Sequence, residues 1–354
     1  MKIIRLVVFN LVVCLASGAW GQAPAPPAAS GATDRPVRLD VVVTDKSGTP
    51  VSGLQQSDFT ILDDKQPRAV LAFRAFDDTS KDRVQVIFLI DNVNASYRAV
   101  GYARQQLEKF LRQGDGPLPV PMSLLLFSNK SIRAQGTVTR DRNALLDWLH
   151  SAESGLRDMG RSGGFYGGAE QMQLSLGNLE DFISFESKQP GRKLLIWLSS
   201  GWPLLSGMFA ELPPKDQEMA FHRVVKLSTE MREARVTLSS VDPLGMDDAA
   251  GLQTVYYENY LKGVVSASKV DNGNLGLQVI ATQSGGQVLN KSSDVAGLIA
   301  KCVADTKAYY TLFFESADAD HPDEYHDLQV KVDKPGLTAR TRTGYYAQRR
   351  EVAK

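Results

Sequence analysis

The chain has 354 residues, of which 43% are hydrophobic and 23% are charged, and its formal net charge at pH 7 is zero. This composition is typical of a globular protein and excludes a chain that is disordered throughout. Because basic residues are not in excess, the composition argues against a nucleic-acid partner. The length allows two domains or one large domain.

The first 21 residues have the pattern of a secretory signal peptide. Lys2 and Arg5 precede an apolar segment from Leu6 to Ala16, and mostly small residues follow it. That segment is too short to act as a membrane anchor. Residues 22–35 are rich in Ala, Pro and Gly, which predicts a flexible linker. We therefore expect an exported protein, periplasmic or extracellular, with no later transmembrane segment.

Both ends of the remaining chain are predicted to form β-strands. Residues 36–80 contain the alternating run VRLDVVVTD and two further strand-like runs, and residues 306–348 contain three more. Each block alone is near or below the size at which a domain buries enough apolar surface to fold. We expect the two blocks to pack together as one antiparallel β-sandwich, with the central region inserted between them.

The central region, residues 82–305, alternates predicted strands and helices. Its first strand, Val84 to Ile90, is an almost unbroken apolar run that ends on Asp91. An amphipathic helix follows from about Tyr97 to Gln113. Such a run is typical of a strand buried on both faces of a parallel sheet. The prediction is an α/β fold with a doubly wound, mostly parallel sheet, inserted in or flanked by the sandwich.

Five segments occur in an order and spacing that are informative together. They are VVVTDKSGTPVSGLQQSDFTILDD, LIDNVN followed by YARQQLEKFL, VTLSSVDPLG, IATQSGGQVL and the closing YY…RTGYYA. In these segments the chain resembles a von Willebrand factor A-like domain protein, and more closely an exported bacterial subgroup of that family. The resemblance covers nearly the whole chain after residue 35.

The resemblance implies a divalent-cation site at the carboxyl edge of the sheet. Family members often hold the ion with an Asp-x-Ser-x-Ser turn, a Thr from a second loop and an Asp after a later strand. Here Asp91 matches the first acid, but Val93 and Ala95 stand at the two Ser positions. Ser199 or Ser200 stands where the later Asp is expected. The adhesion motif is therefore degenerate.

We accordingly expect no cofactor, although weak binding of Mg²⁺ or another divalent cation stays open. Asn94 and Ser96 could join Asp91 as ligands only if the turn takes a different shape. The simpler interpretation is that Asp91 forms the turn or caps the following helix.

The loops predicted at the carboxyl edge of the sheet carry aromatic side chains. Exposed aromatic residues are typical anchors of protein interfaces. These loops therefore predict a non-enzymatic adhesion or scaffold-type module that binds a protein partner. The candidate contact residues are Tyr97, Tyr166, Trp202, Tyr256, Tyr257 and Tyr260.

Two alternatives stay open. One is a hydrolase of cell-envelope material that uses Ser199 or Ser200, although no Gly-x-Ser-x-Gly elbow surrounds these serines. The other is a purely structural envelope component. The four histidines are scattered, and only His321 and His326 lie close together in the sequence.

Overall fold

The computed structural model describes most of the chain after the predicted linker. The signal peptide and linker predicted at residues 1–35 lie outside the described residues. The described residues are 36–77, 84–128, 132–152, 165–203, 212–245 and 257–347.

The described residues form fourteen strands. In chain order they are β1 (Val37–Thr44), β2 (Phe59–Asp63), β3 (Gln66–Arg68), β4 (Val70–Phe76), β5 (Val84–Asp91), β6 (Met122–Phe127), β7 (Ile132–Ala134), β8 (Arg192–Leu198), β9 (Val236–Val241), β10 (Val288–Leu289), β11 (Tyr309–Phe314), β12 (Glu324–Val332), β13 (Thr338–Arg340) and β14 (Gly344–Ala347).

Six α-helices accompany these strands in the described part of the chain. They are α1 (Tyr97–Leu111), α2 (Arg142–Ser151), α3 (Phe165–Glu186), α4 (Pro214–Glu233), α5 (Leu277–Gln283) and α6 (Val295–Ala304). Within the same described ranges, no helix combines the length and apolarity needed to cross a bilayer.

The central sheet has six strands in the order β10-β9-β8-β5-β6-β7. Its neighbours are parallel except for β7, which runs antiparallel to β6 at one edge. The chain builds outward from β5 to β7, then crosses to the other side of β5 and continues from β8 to β10. This reversal at β5 makes the sheet doubly wound, and the predicted α/β class is confirmed.

β5 is apolar on both faces because helices cover the sheet on both sides. Val86, Phe88 and Ile90 pack with α1, α2 and α6 on one face. Ile87 and Leu89 pack with α3, α4 and α5 on the other. Successive side chains of a strand point to opposite faces, so a strand between two helical layers must be apolar at every position.

The strands of the two chain ends form two further, antiparallel sheets. One has the order β13-β1-β11-β4 and the other β14-β12-β2-β3, so each sheet mixes strands from both ends. Their apolar faces share one core, in which Leu39 and Val41 of β1 meet Ile61 of β2 and Val330 of β12. The two sheets therefore pack face to face as a β-sandwich.

A partly buried ion pair joins this sandwich to the amino-terminal edge of the central sheet. Arg235, directly before β9, donates two hydrogen bonds to the carboxylate of Asp40 on β1, at 3.1 and 3.0 Å. Thr311 of β11 donates a third, at 2.7 Å. Burial raises the pKa of the Asp40 carboxyl, but the Arg235 guanidinium and the hydrogen bonds outweigh burial and leave that pKa lowered.

We predict that Asp40→Asn lowers the free energy of unfolding by about 1–3 kcal/mol, because Asn removes the negative charge that faces the largely buried Arg235 guanidinium. Urea denaturation measures the loss. The lowered pKa means that the ionised carboxylate stabilises the fold above the unfolded-state pKa, and that this contribution disappears as the pH falls through the folded-state pKa. The difference between wild type and variant should therefore shrink on acidification below about pH 4.

Glu233→Ala is the matched control. Glu233 lies two residues before Arg235, but its side chain is exposed and its ion pair with Arg232 is long, at 3.6 Å. Removing it should change the free energy of unfolding little. Equal losses in the two variants would show that the Asp40 pair has no special part in the junction.

Candidate functional site

Asp91 ends β5 at the carboxyl edge of the central sheet, and its side chain is 0% exposed. Oδ1 accepts hydrogen bonds from the backbone N–H groups of Val93 and Asn94, both at 2.9 Å. Oδ2 accepts from Asn94 Nδ2 at 2.8 Å and from Trp197 Nε1 at 2.9 Å. Each carboxylate oxygen therefore already has two donors.

All four donors are neutral groups. Burial raises the pKa of the Asp91 carboxyl, and the hydrogen bonds from Asn94 and Trp197 act in the opposite direction without cancelling that rise. Such a site holds a carboxylate by directed N–H groups in place of water. A cation that bound there would have to compete with these donors.

Asn94 and Ser96, in the same turn, each form hydrogen bonds with neighbouring protein groups. Asn94 Nδ2 also contacts Ser175 Oγ on α3 at 2.9 Å. Asn94 Oδ1 is buried and has no hydrogen-bond partner among the described residues. Ser96 caps α1, its hydroxyl accepting a hydrogen bond from Ala99 N at 3.2 Å. The structure thus brings the three predicted metal ligands into one turn, where Asn94 offers its N–H₂ group to Asp91 and Ser96 holds a helix end.

The neighbouring turn after β8 contains the two serines considered as nucleophiles. Ser199 is buried, and its hydroxyl accepts a hydrogen bond from Gly201 N at 3.2 Å. The carbonyl of Ser200 accepts one from Gln278 Nε2 at 3.1 Å. The described histidines lie in other places: His150 pairs with Glu108 near the end of α1, one lies on α4, and two lie in the sandwich.

No protein-family model matches this chain, and no curated protein matches it. Solved structures do show similarity. A Bacteroides fragilis NCTC 9343 aerotolerance-related membrane protein is 11% identical with a TM-score of 0.34, covering 64% of this chain and 99% of that one. Manganese-loaded Plasmodium vivax TRAP protein is 8% identical with a TM-score of 0.37, covering 77% and 96%. The VWA domain of SpRpn10 is 11% identical with a TM-score of 0.29, covering 64% and 97%. At these identities and scores the neighbours say nothing about the activity of this chain.

The strand order defines the class of the fold. The sheet reverses at its central strand, its edge strand β7 is antiparallel, and an acid stands at the carboxyl end of that central strand. This doubly wound α/β arrangement agrees with the von Willebrand factor A-like fold that the sequence resemblance implies. In this central domain, Asp242 after β9 forms a turn in which its Oδ1 accepts a hydrogen bond from Leu244 N at 3.0 Å.

Trp202 was predicted to be an exposed contact residue, and this prediction is wrong. Its side chain is 1% exposed and packs edge-on against Trp197, with ring centroids 5.2 Å apart. Gly201 precedes it with φ +112°, and a Cβ at Gly201 would lie 2.3 Å from Gln278 Nε2. This tight turn brings the indole into the core beside α3 and α4 of the central domain.

The tyrosines predicted as contact residues differ in exposure. Tyr97, the first residue of α1, is 56% exposed. Tyr257 and Tyr260 are half-buried, and the ring of Tyr260 covers Gly273, where a Cβ would lie 2.4 Å from Tyr260 Cε2. The side chain of Tyr166 and the whole of Tyr256 lie outside the described residues. Tyr97 is therefore the described member of this set that presents most of its ring to solvent.

Sequence reasoning missed the contribution of Trp197 to the Asp91 turn. Trp197 lies in the apolar strand β8, and an apolar strand by itself indicates only a core position. A buried indole N–H nearly always needs an acceptor, and the adjacent strand ends on an acid. An indole in one strand beside an acid at the end of the neighbouring strand was therefore the sequence signal for this hydrogen bond.

We predict that Asp91→Asn lowers the free energy of unfolding by about 2–3 kcal/mol, because the new amide N–H₂ group would face two N–H donors that then lose their acceptor. Urea denaturation measures the loss. Asp141→Asn is the control, since Asp141 caps α2 and Asn serves equally well as an N-cap. An unchanged stability of Asp91→Asn, together with Mg²⁺ stabilisation seen only in the wild type, would instead assign Asp91 to a cation.

Proposed function

We propose that this chain is an exported, non-enzymatic module that binds a protein partner through the loops at the carboxyl edge of the von Willebrand factor A-like sheet. The observation that carries the proposal is the exposed ring of Tyr97, which stands directly beyond the Asp91 turn. Solvent-exposed Tyr is among the residues that contribute most to protein interfaces.

The turn beneath Tyr97 is held from several directions. Trp197 ties it to β8, Ser175 ties it to α3, and Gln171 Nε2 donates to the carbonyl of Val93 at 3.4 Å. Ser96 ties it to α1. A surface that is ordered before binding loses less conformational entropy when the partner arrives. This rigidity supports a role for the edge as a preformed contact surface.

Internal donors also support binding without a metal ion. In a metal-dependent adhesion site, the ion leaves one position for a carboxylate of the partner. Here the Asp91 oxygens are occupied by N–H donors, so the partner would be recognised by the loops themselves.

The proposal of export rests on the pattern of residues 1–21. Cys302 is compatible with an oxidising compartment, because this thiol is buried in α6 and burial raises its pKa to about 12. A buried, protonated thiol is a poor nucleophile and is protected from oxidation.

We predict that Tyr97→Ala reduces recovery of the native partner by about 10-fold, as expected for loss of one interface anchor. The measurement is a quantitative cross-linking pull-down from the native envelope with mass spectrometry. Recovery should be the same in EDTA and in Mg²⁺.

Phe185→Ala is the matched control. Phe185 is also aromatic and 61% exposed, but it lies in the last turn of α3, just before β8 begins at the opposite edge of the sheet. Its recovery should equal that of the wild type. If Tyr97→Ala recovers as much partner as the wild type, the proposed contact surface at the carboxyl edge is wrong. If EDTA abolishes recovery from the wild type, binding depends on a metal ion.

A further inference from the structure

The β-sandwich contains a second cluster of ligand-type side chains, separate from the Asp91 turn. Asp63 is the last residue of β2, Asp64 begins the tight turn to β3, and His326 lies on β12 beside them. One oxygen of each Asp and one nitrogen of His326 all lie within 4.8 Å of one another. His326 is more than 260 positions from the two aspartates in the sequence. The pairing of β2 with β12 brings it beside them.

The two oxygens of the Asp63 carboxylate have different surroundings. Its Oδ2 accepts hydrogen bonds from Arg68 Nε at 3.2 Å, from the Tyr345 hydroxyl at 3.1 Å and from Ala317 N at 3.3 Å. Its Oδ1 is fully buried and has no hydrogen-bond partner among the described residues. Such an oxygen needs a positively charged partner. Protonated His326, whose Nδ1 lies 3.2 Å away, or a cation bound in place of that proton can provide the charge.

Asp64 is arranged in the same way. Its Oδ1 accepts a hydrogen bond from Asp327 N at 2.9 Å, and its Oδ2 lies 2.8 Å from His326 Nδ1. The Asp64 backbone has φ 48°, which fixes the carboxylate in the hairpin turn. Each carboxylate therefore has one oxygen that accepts hydrogen bonds from neighbouring donors and one oxygen that points at the imidazole. In metal sites, hydrogen bonds of this kind commonly orient the ligating carboxylates.

His326 completes the set. The imidazole is 4% exposed, and its plane is fixed by stacking on Tyr345, with ring centroids 5.1 Å apart and 19° between the planes. Nδ1 lies 3.2 Å from Asp63 Oδ1 and 2.8 Å from Asp64 Oδ2, and these two carboxylates raise the pKa of the His326 imidazole. The nitrogen faces the space between the two oxygens.

We propose that Asp63 Oδ1, Asp64 Oδ2 and His326 Nδ1 bind a zinc ion. Bonds of about 2.0–2.2 Å at tetrahedral angles place ligand atoms roughly 3.3–3.5 Å apart. The 3.2 Å contact already has nearly this length, and the 2.8 Å contact requires only a small movement of Asp64, which is 51% exposed. Three protein ligands leave the fourth tetrahedral position of the zinc ion for a water molecule.

The ligand set favours zinc over the hard cations. One imidazole nitrogen with two carboxylate oxygens suits Zn²⁺ and, less strongly, Mn²⁺, whereas Mg²⁺ prefers oxygen ligands alone. A zinc ion here would fasten the β2–β3 hairpin to β12 and so join the amino-terminal and carboxyl-terminal strands of the sandwich. This role is independent of partner binding at the Asp91 edge.

The test is calorimetric titration of the metal-free full chain with Zn²⁺, Mn²⁺ and Mg²⁺, together with thermal melts in each metal. We expect saturable binding of one Zn²⁺ with a raised melting temperature, weaker binding of Mn²⁺, and no binding of Mg²⁺ at this cluster. Asp64→Asn should weaken Zn²⁺ binding at least about 10-fold. Asn tolerates positive φ and retains the acceptor for Asp327 N, so this variant should fold.

Two matched controls separate the cluster from general surface binding. Asp327→Asn makes the same change at an exposed acid next to His326, and His321→Gln replaces an exposed histidine outside the cluster. Both controls should bind Zn²⁺ like the wild type. The proposal is overturned if Zn²⁺ does not bind, if Asp64→Asn binds it unchanged, or if the melting temperature responds to acidification but not to Zn²⁺, which would leave only a histidine–carboxylate ion pair.

Discussion

The buried carboxylate of Asp91 is the interaction on which the carboxyl edge of the central sheet depends. A carboxylate that leaves water loses a large solvation energy, and it stays ionised only where hydrogen bonds replace the water. Its four donors come from the turn after β5 and from Trp197 on β8. The same turn is tied to α1 and α3 through Ser96 and Asn94. Satisfying this one carboxylate thus fixes the relative positions of four elements and leaves Tyr97 on a rigid base.

Much of the fold could be predicted from the sequence because strands and helix ends are encoded by neighbouring residues. The apolar run of β5 has to be buried on both faces, and only a layer of helices on each side of a sheet can provide that. The cap of α2 is equally local, because the N-cap Asp141 acts through the next three residues. The start of α4 at Pro214 follows the same principle, since proline fits the first turn of a helix.

The candidate site could be predicted only in part, because burial and side-chain partners are set by tertiary contacts. Val93 and Ala95 showed directly that the turn lacks the usual hydroxyl ligands. The burial of Trp202 could not be predicted in this way, because it depends on the positive φ of Gly201 and on the packing of a distant helix. The boundary between the central domain and the β-sandwich also depends on tertiary contacts. Tyr346 of β14 packs in the core of the central domain and donates to the carbonyl of Val264 at 3.1 Å.

The contrast between Asp91 and Asp63 gives a physical criterion for where a cation belongs in this protein. Both carboxylates are completely buried, so both need compensation for lost hydration. Asp91 receives two N–H donors on each oxygen, and a cation could approach it only by displacing donors that the fold already orients. Asp63 receives donors on Oδ2 alone, while Oδ1 faces an imidazole nitrogen and a second carboxylate oxygen. Hydrogen-bond donors on one carboxylate oxygen orient the other oxygen toward a metal ion. Donors on both oxygens take the positions that a metal ion would occupy. The position that the sequence resemblance implies for a cation is therefore the less suitable of the two, and the sandwich offers the better ligand set.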